Sequence, residues 1–268
     1  MGVRFLTMLA LSFCLFDELT AAEIYRYDLP ANSSPNCKFV TYSGQAGYDF
    51  SKDTGVVNTW DGKCARGYLQ GYGTLIEVRT TGHTITTKAN FDNGMPHGPG
   101  SVVDETSKSK TVFLGTFKDG FYSQGTQTVE GISTGIKIVY EGTFLNNRRS
   151  GDGSYLYQSR GEKWRYVGKF LDGRINGWGT ETVYANGPND YDYTWTGQFV
   201  NGKKNGTGRY STNKGHYGTA QWANDVEIDS QADAPAQLTP QQLREIFPPQ
   251  PKIVPFSCTT YGGVTSCQ

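Results

Sequence analysis

The chain has 268 residues, with 25 Lys+Arg against 25 Asp+Glu and no formal net charge at pH 7. That balance excludes bulk attraction to nucleic acid as a default activity, and the length leaves room for one or two domains. Glycine numbers 34 and aromatic residues make up 13%, while charged residues are only 19%, the composition of a turn-rich β protein rather than a disordered chain.

Residues 1–22 read as a signal peptide. Arg4 supplies the positive start, and residues 5–16 form an apolar stretch well short of the roughly 20 residues a membrane span needs. Thr20, Ala21 and Ala22 place small side chains before a cleavage site at Glu23. The expected location is therefore secreted or periplasmic. Leu11 to Cys14 has the outline of a lipoprotein signal, but Phe13 stands where a small residue is required. Cleavage leaves Cys37, Cys64, Cys258 and Cys267. An even number of cysteines behind an export signal points to two disulfides, with Cys37–Cys64 and Cys258–Cys267 the local choice among three pairings. A metal site is the competing reading. It is discounted because no two cysteines are spaced C-x-x-C and the three histidines lie elsewhere. An unpaired Cys64 is the plain alternative. Residues 23–59 are expected to form an N-terminal capping segment, with a loop over 30–35 and an echo of a repeat start at Tyr42 and Gly44. Asn32 and Asn205 fit the N-glycosylation acceptor pattern, at a frequency near background.

Residues 60–225 repeat one short sentence. Y-E-G-T-F-L-N-N-R-R-S-G-D-G opens at Tyr140, Y-V-G-K-F-L-D-G-R-I-N-G-W-G at Tyr166 and W-T-G-Q-F-V-N-G-K-K-N-G-T-G at Trp195. Weaker copies open at Trp60, Thr87 and Phe113, and Ala220, Trp222 and Asp225 keep half of one, so starts recur every 26 to 29 residues. In the Phe113 copy, Gln124 and Thr126 stand where glycines are expected. Tyr166, Gly168 and Phe170 are two apart and share one face of a strand, Asp172-Gly173 is suited to a tight turn, and Gly177 and Gly179 lie on the returning strand. Each copy therefore reads as a β-hairpin that needs its neighbours to bury its rings. The predicted fold is all-β: an elongated single-layer antiparallel meander of stacked hairpins, with a short C-terminal helix and a disulfide-closed tail.

The pattern Y-x-G-x-[FW]-x-x-G-x-x-x-G-x-G resembles the MORN repeat, over about Trp60 to Asp225 and most closely over 140–208. The copies here are longer than is usual for that family, so one set of turns is extended; the Phe113 copy and Cys64 depart from the pattern. The resemblance implies a sheet used for assembly, dimerisation or membrane association. It implies no chemistry of its own.

The two ends of the hairpins differ. Short turns fall at Asp92-Asn93-Gly94, Asp119-Gly120, Asn146-Asn147, Asp172-Gly173 and Asn201-Gly202. Arg148, Arg149, Arg174, Lys203 and Lys204 follow three of them and are predicted to form a column of cations, about 10 Å between neighbouring hairpins. The column reads either as a solubilising edge or as a binding row for anionic lipid head groups or an acidic glycan. Extended turns gather at the other end. Beyond 225, residues 226–268 are expected to hold a linker, a helix over 239–247 capped by Thr239 and Pro240, and the tail carrying Cys258 and Cys267.

Chemistry is sparse. Gly131-Ile132-Ser133-Thr134-Gly135 matches G-x-S-x-G, but a strand pattern follows it where a nucleophile elbow needs a helix. His83, His97 and His216 keep no metal-ligand spacing, and Asn189, Asp190 and Asp192 make only a weak oxygen cluster in an extended turn. The sequence therefore predicts no catalytic residue, no metal and no cofactor. It predicts an exported scaffold with a protein partner or self-association. A lipid- or glycan-binding module, using the basic edge and Trp178, Trp195 and Trp222, is the alternative; a hydrolase with an unrecognised site is the remote one.

Overall fold

The computed structural model describes residues 25–30, 37–43, 57–79, 82–186, 192–232, 258–261 and 264–267. Antiparallel strands follow one another without a crossover from β5 (Tyr68–Val78) through β6 (Thr84–Asp92), β7 (Met95–Glu105), β8 (Ser109–Lys118), β9 (Phe121–Gly131), β10 (Lys137–Leu145), β11 (Arg148–Gln158) and β12 (Lys163–Leu171). They continue through β13 (Arg174–Val183), β14 (Tyr193–Val200), β15 (Lys203–Thr212) and β16 (Tyr217–Ala223) to β17 (Val226–Ala232). The sheet thus extends one strand past the expected end of the repeats. The other side of β5 is shared by β3 (Val57–Trp60) and β4 (Lys63–Ala65). All described strands but two belong to this single open sheet.

The short turns take the form that a right-twisted hairpin favours, with positive φ at both central residues. Asn93 and Gly94 have φ of 48° and 79°, Asp172 and Gly173 49° and 83°, and Asn201 and Gly202 52° and 87°. Each turn is also tied to the hairpin before it. The amide of Gly120 donates to the Pro96 carbonyl (3.1 Å), that of Gly173 to Arg149 (2.9 Å) and that of Gly202 to Ile175 (2.7 Å).

One face of the sheet carries the rings. Phe144 lies 5.1 Å from Tyr140, Tyr140 5.0 Å from Phe170, Phe170 5.3 Å from Tyr166, Tyr166 4.9 Å from Phe199 and Phe199 4.9 Å from Trp195, all edge to face. The first aromatic of one copy therefore touches the second aromatic of its own copy and of the next, and each such pair contributes about 0.5–1.5 kcal/mol beyond area burial. Paired glycines make room for these rings. Gly142 faces Gly153 in register, and a Cβ at Gly153 would lie 2.6 Å from Tyr140 Cε2. The tyrosines also tie the strand: Tyr140 Oη donates to the Thr143 carbonyl (2.8 Å) and Tyr166 Oη to Lys169 (3.2 Å), while Trp60 Nε1 makes the equivalent bond to Lys63 (3.0 Å). Trp195 departs from this rule, its buried indole N–H having no partner among the described residues.

The irregular Phe113 copy proves to be a complete hairpin one residue shorter. In β10–β11 the register passes from Gly142↔Gly153 to Thr143↔Ser150, so Gly151 and Asp152 bulge out. In β8–β9 it passes from Gly115↔Gly125 through Thr116↔Gln124 to Phe117↔Tyr122, and only Ser123 bulges. Gly125 then fills the ring-facing place that residue counting assigns to Thr126.

At the N-terminal end β1 (Tyr25–Pro30) and β2 (Lys38–Ser43) form an antiparallel ribbon. Lys38 N donates to the Gly67 carbonyl (2.9 Å) and Val40 N to Gly94 (2.8 Å), so β2 is anchored beside the first two short turns. Cys37 is joined to Cys64, with their Cα atoms 5.8 Å apart, so Cys64 is not a free thiol. A separate ladder pairs β18 (Cys258–Tyr261) with β19 (Val264–Cys267), placing Cys258 opposite Cys267 in register. The predicted helix over 239–247 lies outside the described residues.

Candidate functional site

Alternation along the strands sorts the five expected cations onto two faces. Phe144, Phe170 and Phe199 are buried on the aromatic face. Arg149 and Lys204 stand opposite Phe144 and Phe199 in register, so they share that face. Lys204 is only 12% exposed; its Nζ pairs with Glu181 and lies 4.8 Å from the Trp222 ring and 5.4 Å from that of Tyr193. Arg149 sits 4.9 Å from the Tyr155 ring and bonds Gln127 (3.2 Å). Neither belongs to an outward column. Double-basic turns look alike in sequence, but period-two alternation buries every second charge.

Arg148, Arg174 and Lys203 remain on the opposite face, and Arg148 is paired with Asp172. They stand directly across their turns from Leu145, Leu171 and Val200, which are 65%, 50% and 41% exposed. In the hairpin before them Lys118 faces Phe121, the same pair reversed. This end of the opposite face is thus a row of apolar residues edged with cations, a feature the repeat pattern does not record.

On the aromatic face, half-buried rings extend beyond the buried row. Tyr155 stacks on Trp164 (5.0 Å), Tyr157 on Trp164 (5.7 Å) and Tyr193 on Tyr210 (6.1 Å). Among the described residues no strand lies over this part of the face. Of the three tryptophans that the glycan-binding alternative would use, Trp178 is 57% exposed, Trp222 is half-buried and Trp195 is fully buried. Trp195 is a core residue because it occupies the first aromatic place of its copy, over Gly208.

Three titratable side chains gather near the turn between β5 and β6. His83 Nε2 lies 2.7 Å from Asp104 Oδ1, close to Glu77, whose carboxyl burial pushes up to about 7 against the pull of Arg79 and His83. Thr41 and Thr87 line the same groove, but neither shows a hydrogen bond to His83, so no nucleophile–base pair forms there among the described residues. No group of three or more His, Cys, Asp or Glu side chains takes a metal-holding geometry among the described residues. Gly131 to Ile136 closes a β-turn loop, Gly131 N donating to the Ile136 carbonyl (2.8 Å) before β10 begins, and no helix follows the G-x-S-x-G match.

Stacked hairpins, rings laid over paired glycines and two-residue turns define this chain as a β-hairpin repeat protein. Three stretches carry the MORN repeat, the model of that repeat matching residues 89–103, 140–162 and 195–217. MORN repeat-containing protein 3 of Xenopus laevis is 35% identical over 71 residues, covering 26% of this chain and 29% of that protein. The matched stretch is therefore less than a third of the relative's length.

Proposed function

We propose that the protein is an exported, non-catalytic scaffold whose aromatic face receives a protein partner. MORN repeats typically serve as scaffolds that bind proteins or membrane lipids. The observation that carries the reading is the half-buried aromatic surface of Tyr155, Tyr157, Trp164, Tyr193 and Tyr210, over which no described strand lies. Rigid rings give large contact area at small entropic cost, and partners tend to anchor on such clusters. The test compares affinity capture by the wild type and by a Tyr157→Ala/Trp164→Ala variant with unchanged circular dichroism. Partners retained equally by both would end the reading. Export is tested separately, by intact mass of the native protein: a mature start at Glu23 supports it and a retained Met1 removes it.

The apolar and basic row favours a second reading, adsorption to an anionic lipid surface. Leu145, Leu171 and Val200 would enter the head-group layer while Arg148, Arg174 and Lys203 meet phosphates. The test is vesicle co-sedimentation. Binding to phosphatidylserine vesicles that weakens with salt, and is lost in Arg148→Gln/Arg174→Gln/Lys203→Gln, supports the reading. Equal binding to neutral phosphatidylcholine vesicles excludes it.

A further inference from the structure

A line of apolar side chains crosses the strands on the aromatic face. Val129 on β9 stands opposite Ile138 on β10, Ile138 opposite Tyr157, Tyr157 opposite Trp164, Trp164 opposite Val183, and Val183 opposite Tyr193 on β14. Ile138 is two residues from Tyr140, Trp164 two from Tyr166 and Tyr193 two from Trp195, so the line shares the face of the buried rings. Val183 is exposed and the other five are half-buried. A groove of about 420 Å³ opens on the line, with Trp164, Val183 and Tyr184 among its walls. Five strand spacings make the line about 24 Å long.

The chain has to travel in the same direction. β17 ends at Ala232, in register with Gly218 and, through it, Tyr210, two residues short of the place facing Tyr193. β19, at the far end of the tail, approaches β7 to within 8 Å between Cα atoms. Ten strand spacings separate β17 from β7, about 48 Å. Residues 233–257 join Ala232 to Cys258 and reach roughly 80–90 Å when extended, which is ample. They include Pro248-Pro249-Gln250-Pro251-Lys252-Ile253-Val254-Pro255, flanked by Phe247 and Phe256. Proline holds φ near −65° and has no amide hydrogen, so such a run favours the polyproline II helix. At a rise of about 3.1 Å per residue, residues 248–255 span about 25 Å, the length of the apolar line.

We propose that residues 248–255 of the same chain dock along this line as a polyproline II segment, running from Tyr193 toward Val129. A chain laid across the face of a sheet meets no free ladder groups, so each amide it presses onto apolar rings loses water without gaining a partner. Proline removes that amide hydrogen, and a polyproline II chain needs no internal hydrogen bonds and is ordered at low entropic cost. The rings suit it. Tyr157 and Trp164 are tilted by only 20° and Tyr193 and Tyr210 by 16°, and near-parallel rings side by side leave slots for a pyrrolidine. The opposite face offers none over the same strands: Thr180 is bonded to Thr196 and Thr182 to Thr194. The inference rests on the same rings as the scaffold reading and deepens it, since a partner then competes with this segment for the line.

The experiment places the photo-cross-linker p-benzoylphenylalanine at Gln250 of the full chain and maps the linked peptides after irradiation. The expected result is a link within one chain to β12, β13 or β14. A link only to a second copy, a link only to other strands, or no link overturns the proposal. Fluorescence anisotropy of a labelled peptide of residues 247–256 gives a second measurement. A tethered segment competes at an effective concentration of order millimolar, so Pro248→Ser/Pro249→Ser/Pro251→Ser/Pro255→Ser is expected to bind the peptide at least about tenfold tighter than the wild type. Adding Tyr157→Ala/Trp164→Ala to that variant is expected to remove the binding. Equal affinity for wild type and proline variant, or no binding to either, overturns the proposal. Partners captured through Tyr157 and Trp164 without a link from Gln250 leave the scaffold reading standing and remove this one. A link from Gln250 without such partners removes the scaffold reading alone.

Discussion

Lys203 and Lys204 are adjacent and chemically identical, yet the sheet gives them opposite environments. Lys203 is exposed, and Lys203→Gln is expected to change stability by no more than about 0.5 kcal/mol. Lys204 closes an ion pair with Glu181 among three aromatic rings, so Lys204→Gln leaves a half-buried carboxylate alone and is expected to cost roughly 2–4 kcal/mol. Urea denaturation of the two variants separates them; equal midpoints would show Lys204 to be a surface charge. Glu77 carries the pH dependence at this scale. Its folded-state carboxyl, near 7, lies above the ordinary 4.5, so the folded state resists ionisation. Stability from this group is present below about pH 4.5, falls as pH rises toward 7 and stays lost above it, by at most roughly 3 kcal/mol. Glu77→Gln should therefore be more stable than the wild type near pH 8 and similar to it near pH 4.5.

At the scale of the hairpin, ring and glycine pair form one device. Gly153→Ala would press a methyl into the ring and hydroxyl of Tyr140, and a cost of roughly 1–3 kcal/mol is expected. Gly173→Ala has no atom to meet within 4 Å, so only its φ of 83° opposes it, at about 1 kcal/mol. Thermal melts of the pair test whether packing or backbone conformation sets the larger penalty. The Phe113 hairpin shows how far the device bends: losing one bulge residue shifts the glycine but keeps Gly115 opposite Gly125 and Phe113 stacked on Tyr122 at 3.8 Å.

For the whole molecule, the ladder of rings makes stability a sum over neighbours. The Cys37–Cys64 bond closes a sequence separation of 27 residues and ties β2 to the first hairpin. Chain-entropy reasoning gives it roughly 3–4 kcal/mol. Reduction should therefore raise amide exchange in β2 and β4 while leaving the β12–β15 ladder protected; uniform loss of protection would show that the sheet melts as one unit.

Much of this was legible in the residues. The spacing of Tyr166, Gly168 and Phe170 gave strand and facing, and Asp172-Gly173 gave the turn, because both follow from local backbone geometry and period-two alternation. The MORN repeat was legible for the same reason. Reading the basic turns as one column overlooked the split between Arg148 and Arg149 and between Lys203 and Lys204, which the two-residue turn sets by placing Arg149 opposite Phe144 and Lys204 opposite Phe199. Local rules did not place Gly125 opposite Gly115. The gathering of Glu77, His83 and Asp104 was invisible too, because their nearness is created by pairing across β5, β6 and β7. Sequence by itself determined the repeating unit, since each hairpin is specified by a few adjacent residues. Only the tertiary structure decided which acid is drawn into a buried setting beside His83 and Asp104, because that depends on register between strands and on what crosses the face above them.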